Sequence, residues 1–462
     1  MLQCTDREAG SLLQCCGSDL ARSVETGTGS PGGVNPHYLD HVVAVSATHA
    51  VEVTEDIYAG NGMKLLARGA RVDAQMRERL LAHKLNKPLE DCVEVVGGVI
   101  PARFGPIAEG LIERYPLLRT LCTHERAQPV AATLSTLTMT IPMQSLLTVY
   151  ASYQQDRLQH TVGVAMLALA LARKLLPGDA DAHRALALAG LVHDVGELYI
   201  DPEYLRRDVP LGPEQWRHIV SHPLVAHRVL RDMVGAGRKV AEAVLYHHER
   251  LDGFGYPYGV RQRELPLHGQ ILAVSEWLMA LVESDTTPLS HARLSAALMP
   301  GEFNRSVLDI LANAARTSDE VVSAMGVPLP LEQAIPRAQR IADTLQRFEQ
   351  TRPWIDAHIE RAAPALKNLL EIGLDRMLRI RTAFSSTGLD VGDPEVVLRE
   401  LAALQDAQIH IEVVTVVREL GWRMRELERE QLLRASTLVT GEQAVIRELI
   451  ERLKGERKGA PQ

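Results

Sequence analysis

The chain contains little cysteine, and this narrows the kinds of site that it can carry. Its 462 residues include five cysteines, at Cys4, Cys15, Cys16, Cys92 and Cys122. The number is odd and no pair has the CxxC spacing, so the sequence indicates neither a disulfide framework nor a cysteine-ligated zinc site. This cysteine usage fits a reducing cytoplasm.

Long apolar runs and blocks of positive charge are also missing. The longest apolar run, VGVAMLALALA at 162–172, is shorter than the ~20 residues that a membrane helix needs. The N-terminal region lacks a basic segment followed by an apolar one, so SLLQCC is not expected to be a lipoprotein cleavage site despite its cysteines. The net charge of −8 and pI of about 6.1 argue against a general nucleic-acid or anionic-membrane surface. We expect a cytoplasmic protein without a membrane span, and small anionic ligands stay compatible with it.

Composition along the chain predicts several segments. With 46% apolar residues, the chain can bury sizeable cores and should form two to four domains. Residues 1–36, rich in Gly, Ser, Thr and Pro, predict a mobile leader. A small α/β domain with its connector is expected at 37–128, a helical domain at 129–322, and a C-terminal helical region at 337–457. The predicted fold class is mainly α.

Local patterns refine two of these segments. In the N-terminal one, HVVAVSA (41–47), VEVTEDI (51–57) and DCVEVV (91–96) have the pattern of strands. DAQMRERLLAHKL predicts a helix whose N-cap is Asp73. The C-terminal segment shows charged amphipathic helices and no visible chemistry, which is typical of a bundle or an oligomerisation element.

The histidines are concentrated in the middle of the chain. Nine of seventeen lie between His160 and His268, mostly in short contexts such as HD (193–194), SHP (221–223) and HHERLDGFGYP (247–257). Imidazole and carboxylate ligands together suit Fe, Mn, Co or Zn, and a carboxylate can bridge two ions. We expect His193 and Asp194 to reach a metal cluster between helices, with Asp194 as the bridge. Asp156 and His160, four apart, could hold a further metal, although QQDR is also typical of a solvated turn.

The motifs H…HDVGE…HP…HHERLDGFGYP…AVSEWLMAL between 160 and 283 resemble the HD-GYP domain, a bacterial branch of the HD phosphohydrolase superfamily. The resemblance implies a helical domain with two or three divalent ions, Fe or Mn being expected, that hydrolyses cyclic di-GMP. His193 and Asp194 would be catalytic. The implied metal ligands are His160, His193, Asp194, His222, His247, His248, Glu276 and Asp156. Gly253, Gly255, Tyr256 and Pro257 match the loop beside the nucleotide, and Arg250 is a further candidate for substrate binding.

The sequence departs from the family pattern at four places. Glu197 replaces a Lys, Glu276 replaces an Asp, Gln270 replaces an Arg, and SDTTPLS (284–290) replaces a segment with two cations. The ligand set is retained while phosphate-binding cations are lost, so Glu197→Lys is predicted to raise nucleotide affinity. Glu197 could instead turn to solvent or become an extra ligand, and Arg250, Arg261 or Arg263 could supply the missing charge.

Three hypotheses follow for function. The first is a metal-dependent phosphodiesterase acting on cyclic di-GMP or a related nucleotide. The second is a catalytically impaired signalling or scaffold module that binds protein partners, or a second copy, through its C-terminal helices. The third is a phosphohydrolase with a less anionic substrate. In each, His183, His218 and His227 are predicted to be surface or packing residues.

Overall fold

Helices make up most of the structure, a computed structural model that describes residues 33–123, 128–154, 156–206, 212–261, 264–284, 288–317, 331–404 and 406–455. The predicted mainly α fold class is therefore confirmed. Within these ranges, no helix combines the length and the apolar character that a membrane crossing requires. Most of the predicted leader lies outside the described residues.

The described residues from 33 to 100 contain two α-helices and four short strands. These are α1 (Pro36–Ser46), β1 (Val51–Val53), β2 (Ile57–Tyr58), β3 (Lys64–Leu66), α2 (Ala74–Leu81) and β4 (Val93–Val95). The strands form two antiparallel pairs, β1 with β4 and β2 with β3. Helix α2 begins as predicted, because the Asp73 carboxylate accepts hydrogen bonds from the backbone N–H groups of Gln75 and Met76.

The strand predicted at 41–47 is wrong, since these residues continue helix α1. The Asn35 side chain caps this helix by accepting a hydrogen bond from Tyr38 N–H, and Pro36 occupies its first turn. Tyr38 and Val42 are buried, and the Tyr38 ring stacks on Tyr199 at 5.0 Å between centroids. Packing against the middle of the chain therefore favours the helix over the strand that local alternation predicts.

The middle of the chain is a compact set of helices. They are α3 (Phe104–Arg114), α4 (Pro116–Cys122), α5 (Val130–Ser135), α6 (Ile141–Tyr153), α7 (Arg157–Leu175), α8 (Ala180–Val192), α9 (Pro213–Ile219), α10 (His222–Asp232), α11 (Arg238–Leu245), α12 (Leu267–Ser284), α13 (Pro288–Leu298) and α14 (Arg305–Thr317). One continuous buried core extends from Tyr38 to Ala314. The N-terminal segment thus packs onto these helices, and the domain boundaries stay predictions.

The C-terminal region is a bundle of longer helices. They are α15 (Leu331–Arg361), α16 (Pro364–Ser386), α17 (Pro394–Ala403), α18 (Ala407–Ala435) and α19 (Thr440–Lys454). Their apolar faces enclose a second core, which also takes in Phe254, Leu298 and Met299 from the middle of the chain. The bundle is therefore packed directly against the segment that holds the HHERLDGFGYP motif.

Candidate metal centre

Seven of the eight predicted metal ligands lie together, in two adjoining groups. They come from positions far apart in sequence. His160 lies on α7, His193 and Asp194 follow α8, His222 begins α10, His247 and His248 follow α11, and Glu276 lies on α12. The close approach of two of these elements depends on Gly196, where an added Cβ would lie 2.1 Å from the carbonyl oxygen of His222.

The first group consists of Asp194, His222, His247 and His248. The Nε2 atoms of His222 and His247 lie 3.2 and 3.3 Å from Asp194 Oδ1. These two nitrogens are themselves 3.2 Å apart. Three imidazoles and a carboxylate oxygen converging on so small a volume form a nitrogen-rich ligand set.

The second group consists of His160, His193 and Glu276. Glu276 Oε2 lies 3.1 Å from Nε2 of His160 and 3.1 Å from Nε2 of His193. Glutamate in place of aspartate therefore still brings its carboxylate to the imidazoles.

Asp194 connects the two groups. Its Oδ1 faces His222 and His247, while its Oδ2 lies 3.2 Å from His193 Nε2. Since each oxygen addresses a different group, the carboxylate has the orientation that a bridge between two ions requires.

Backbone carbonyls fix the orientation of the central imidazoles. Nδ1 of His193, His222 and His247 lies 2.9, 2.8 and 2.6 Å from the carbonyl oxygens of Gly190, Ile219 and Val244. A carbonyl can only accept, so Nδ1 carries a proton, and in the neutral imidazole Nε2 presents its lone pair to the centre. Each histidine thus bonds to the carbonyl three residues before it, a pattern built into the ends of these helices.

The charges in this centre are strongly coupled. Burial lowers the pKa of the His193 imidazole, but Asp194 and Glu276 more than reverse this effect and raise it to about 10. Burial also opposes ionisation of Asp194, yet the neighbouring histidines hold the pKa of its carboxyl well below its usual range. Burial and adjacent imidazoles lower the pKa of His248. The carboxylates of Asp194 and Glu276 are thus stabilised by nearby positive charge, which either protonated imidazoles or divalent cations can provide.

The donor atoms fit divalent ions. Within the described part of the chain, His193 Nε2 and Asp194 Oδ1 are buried side-chain atoms without a hydrogen-bond partner. Such orphaned acceptors are costly unless something absent from the protein chain satisfies them. Each of the two atoms lies 3.1–3.3 Å from further imidazole nitrogens or carboxylate oxygens. Such a set of donor atoms is what a metal site requires.

One predicted ligand, Asp156, lies apart from these groups, and so does His218, which was predicted to be a surface or packing residue. Asp156 precedes α7 with a left-handed backbone (φ 71°) and an exposed side chain. It belongs to neither group. His218, four residues before His222, contacts the ring of Tyr204 at 5.4 Å instead.

Glu197 neither turns to solvent nor joins the ligand groups, because it pairs with Arg157. Both side chains are mostly buried, at 16% exposure for Arg157 and 15% for Glu197. The guanidinium also donates to the hydroxyl of Tyr150, which lies 3.4 Å from Asp194 Oδ2. Sequence reasoning missed Arg157, although its position three residues before His160 places both on one helix face.

The residues that follow the paired histidines form a tight loop, here called the GYP loop (residues 249–261). The Tyr256 ring stacks on His248 at 4.6 Å. An added Cβ at Gly255 would lie 2.2 Å from Glu249 Cα, so only glycine fits there. Glu249 orients no metal ligand, since its carboxylate accepts hydrogen bonds from the backbone N–H groups of 258, 259 and 260.

Gln270 and Arg250 take part in packing contacts of their own. Gln270 donates to the carbonyl of Leu265 at 2.6 Å and accepts from Asn304 at 2.8 Å, so its role is structural. Arg250 lies over the ring of Phe303, with its guanidinium carbon 4.8 Å from the centroid. Arg263 and residues 285–287 lie outside the described residues.

The GYP loop is also tied to the C-terminal bundle by buried charges. Arg376 of α16 pairs with Asp252 of the loop and, at 2.7 Å, with Glu302. Arg423 of α18 binds the second oxygen of Glu302 at 2.7 Å. Both arginine side chains are 2% exposed. The C-terminal helices thus help to set the position of the loop, which their sequence did not indicate.

Comparison with known proteins agrees with this geometry. Residues 144–300 match the family model of the HD domain. This match spans all seven of the grouped ligands.

Proteins similar to this segment include phosphodiesterases that are named for cyclic dinucleotides. A cyclic di-GMP phosphodiesterase of Pseudomonas aeruginosa is 35% identical over 117 residues, which are 25% of this chain and 28% of the relative. A 3'3'-cGAMP-specific phosphodiesterase of Vibrio cholerae is 35% identical over 130 residues, 28% of this chain and 30% of the relative. The matches thus span less than a third of either relative.

A solved structure of an HDG"Y"P protein from Bdellovibrio bacteriovorus is 16% identical to this chain. The structural match covers 59% of this chain and 97% of the Bdellovibrio chain, with a TM-score of 0.31. The resemblance predicted from HDVGE and HHERLDGFGYP is confirmed through the HD domain match and the named relatives.

Proposed function

We propose that the HD domain is a metal-dependent phosphodiesterase that hydrolyses cyclic di-GMP or a related cyclic nucleotide. The observation that carries the proposal is the pair of ligand groups bridged by Asp194, with the GYP loop stacked against one of them. The names of the two bacterial relatives support the choice of substrate class.

The proposed cofactor is a pair of divalent ions, Fe or Mn, held by the two groups. A mixed set of imidazoles and carboxylates suits such borderline metals. Once bound, they would activate water and neutralise charge on the phosphate. A third ion at Asp156 stays a prediction that rests on the family resemblance.

Residues of the GYP loop, which stacks on His248 of the first group, would bind the nucleotide. His160 and Glu276 are each 16% exposed, whereas His193 is fully buried, so the centre opens on the side of the first two. Gly253, Gly255, Tyr256, Pro257 and Arg250 are the proposed substrate-binding residues. During hydrolysis, water would bond to phosphorus as the ester oxygen leaves with a proton.

The pairing of Glu197 with Arg157 favours the enzyme over the impaired scaffold. An isolated acid at position 197 would repel an anionic phosphate, but the guanidinium neutralises it. Arg157 also donates a hydrogen bond to the hydroxyl of Tyr150, which itself lies 3.4 Å from Asp194 Oδ2. The pair therefore adds no net negative charge beside the metal groups, and Glu197 does not repel a phosphate as an unpaired acid would.

The test combines metal analysis with turnover. Protein reconstituted with Mn or Fe(II) is expected to hold two ions per chain and to linearise cyclic di-GMP, measured by chromatography. Asp194→Ala should lose metal from both groups and His193→Ala from the second. His218→Ala is the matched control and should retain both metal and activity, because His218 lies outside the groups.

The alternatives give different results in the same experiment. Metal binding without turnover of cyclic di-GMP or cGAMP would contradict the phosphodiesterase and favour a scaffold. Turnover of a simple phosphodiester alone would favour another substrate. Absence of bound metal would contradict every enzyme hypothesis. We further propose that the protein acts in the cytoplasm, with the C-terminal helices as a surface for a protein partner or a homodimer.

A further inference from the structure

A cleft of about 630 Å³ lies within the C-terminal bundle, between helices α15, α16, α18 and α19. Pockets for small molecules in proteins have volumes of roughly 300–1,000 Å³. The cleft is lined only by residues from 337 onward, so it is separate from the metal centre. Its size matches a small ligand better than a protein segment.

The floor of the cleft is apolar and well packed. It is formed by Ile341, Phe348, Met377, Leu427, Leu449 and Ile450. Phe348 is fully buried and Met377 is 5% exposed, so the floor is part of the folded core. Such a surface binds an apolar chain by removing it from water.

The rim of the cleft carries a concentration of positive charge. Arg337, Arg340, Arg347, Arg418, Arg425 and Lys454 line it, and among the described residues Glu428 is the one acid that does. Glu428 is paired with Lys454 at 2.5 Å. The rim is thus strongly cationic, although the chain as a whole has a net charge of −8.

The arginines of the rim crowd one another. Burial, together with the charges of Arg429, Arg337 and Arg340, lowers the pKa of the Arg425 guanidinium. Arg337, Arg340 and Arg425 are exposed, so their side chains can turn toward a ligand without disturbing the buried core. Holding like charges close together costs free energy, and a bound anion would offset this cost.

We propose that this cleft binds an amphipathic anion, namely an acyl chain that ends in a carboxylate. The chain would lie on the apolar floor and the carboxylate would be held by Arg340 and Arg425. Guanidinium groups suit this head group because they bind carboxylates through two parallel hydrogen bonds. The site is independent of the proposed hydrolase, since it involves neither the metal groups nor the GYP loop.

The experiment is calorimetric titration of the full chain with laurate below its micellar concentration. We expect saturable binding of one laurate per chain, with much weaker binding of dodecanol, which has the same tail without the charge. The double variant Arg340→Gln/Arg425→Gln should weaken laurate binding at least about tenfold. The matched control Arg379→Gln/Arg399→Gln removes two exposed arginines outside the cleft and should bind laurate normally.

A second variant tests the floor of the cleft without touching its charge. A Cβ added at Gly421 would lie 3.6 Å from the Arg425 side chain and 4.0 Å from Ile341, which is ordinary contact. Gly421→Leu should therefore fold, extend into the cleft and abolish laurate binding. Circular dichroism would verify folding.

Three results would overturn the proposal. The first is no binding of laurate, and the second is equal binding by the unaltered chain and both cleft variants. The third is a concentration-dependent dimer that the double arginine variant disperses while laurate does not bind. That last result would assign the cleft to a second copy of the chain.

Discussion

The pair of Arg157 and Glu197 provides the most direct test of the site. Arg157→Gln would leave the Glu197 carboxylate mostly buried beside Asp194. Burial, and then the like charge of Asp194, already raise the pKa of Glu197. Removing one partner of a buried ion pair costs about 3 kcal/mol or more. We therefore expect the melting temperature to fall by several degrees.

Two further variants separate the pair from its surroundings. Arg157→Gln/Glu197→Gln removes both charges and should recover most of the lost stability, because no unpaired charge stays buried. Glu197→Lys should also destabilise, since it faces an ammonium toward the guanidinium. This revises the expectation from sequence that Glu197→Lys would simply raise nucleotide affinity.

Thermal unfolding of the metal-loaded variants is the assay. Arg399→Gln is the control, since its pair with Glu395 is 69% and 48% exposed and should contribute less than ~0.5 kcal/mol. A stabilising ion pair between Arg157 and Glu197 is refuted if Arg157→Gln melts like the unaltered protein. It is also refuted if the double variant is no more stable than Arg157→Gln alone.

Two further predictions concern the GYP loop and the bundle beside it. Gly255→Ala should displace the loop and reduce both phosphodiesterase turnover and stability, the latter by about 1–3 kcal/mol, because its Cβ would lie 2.2 Å from Glu249 Cα. Gly441→Ala, with nothing within 4 Å, is the control, and equal behaviour of the two variants would count against the tight loop. Burial raises the pKa of Glu426 from 4.5 to about 7, so the folded state retains a proton that the unfolded state releases, and stability should fall as pH rises through this window. Glu426→Gln should remove this loss of stability, which amounts to up to ~3 kcal/mol at pH 8. Melting temperatures that fall equally from pH 5 to pH 8 in the unaltered protein and in Glu426→Gln would contradict this prediction.

The N-terminal segment shows where local pattern was and was not enough. Asp73 marked the start of α2 because a capping carboxylate bonds to its own helix, a contact that sequence spacing contains. The alternation in 41–47 suggested a strand, but α1 buries Tyr38 against Tyr199. That partner lies far along the chain, so no local pattern could reveal it.

The metal centre shows the same division. Histidine and carboxylate residues in HD, HP and HHERLDGFGYP identified seven residues that the fold brings together, and the bridging orientation of Asp194 agrees with its expected role. The sequence could not show what Glu197 contacts, because Arg157 reaches it across the space between two elements.

By itself, the sequence determined the mainly α class, the resemblance of one segment to HD domains and the residue types that gather in the candidate metal centre. Helical periodicity and side-chain chemistry are properties of short segments, so they can be read without the fold. Only the tertiary structure decided the neutralisation of Glu197, the link from the GYP loop to Arg376 and Arg423, and the cationic cleft. Each of these depends on charges brought together from distant segments. Coulomb interactions depend on distance in space, and the fold alone sets that distance.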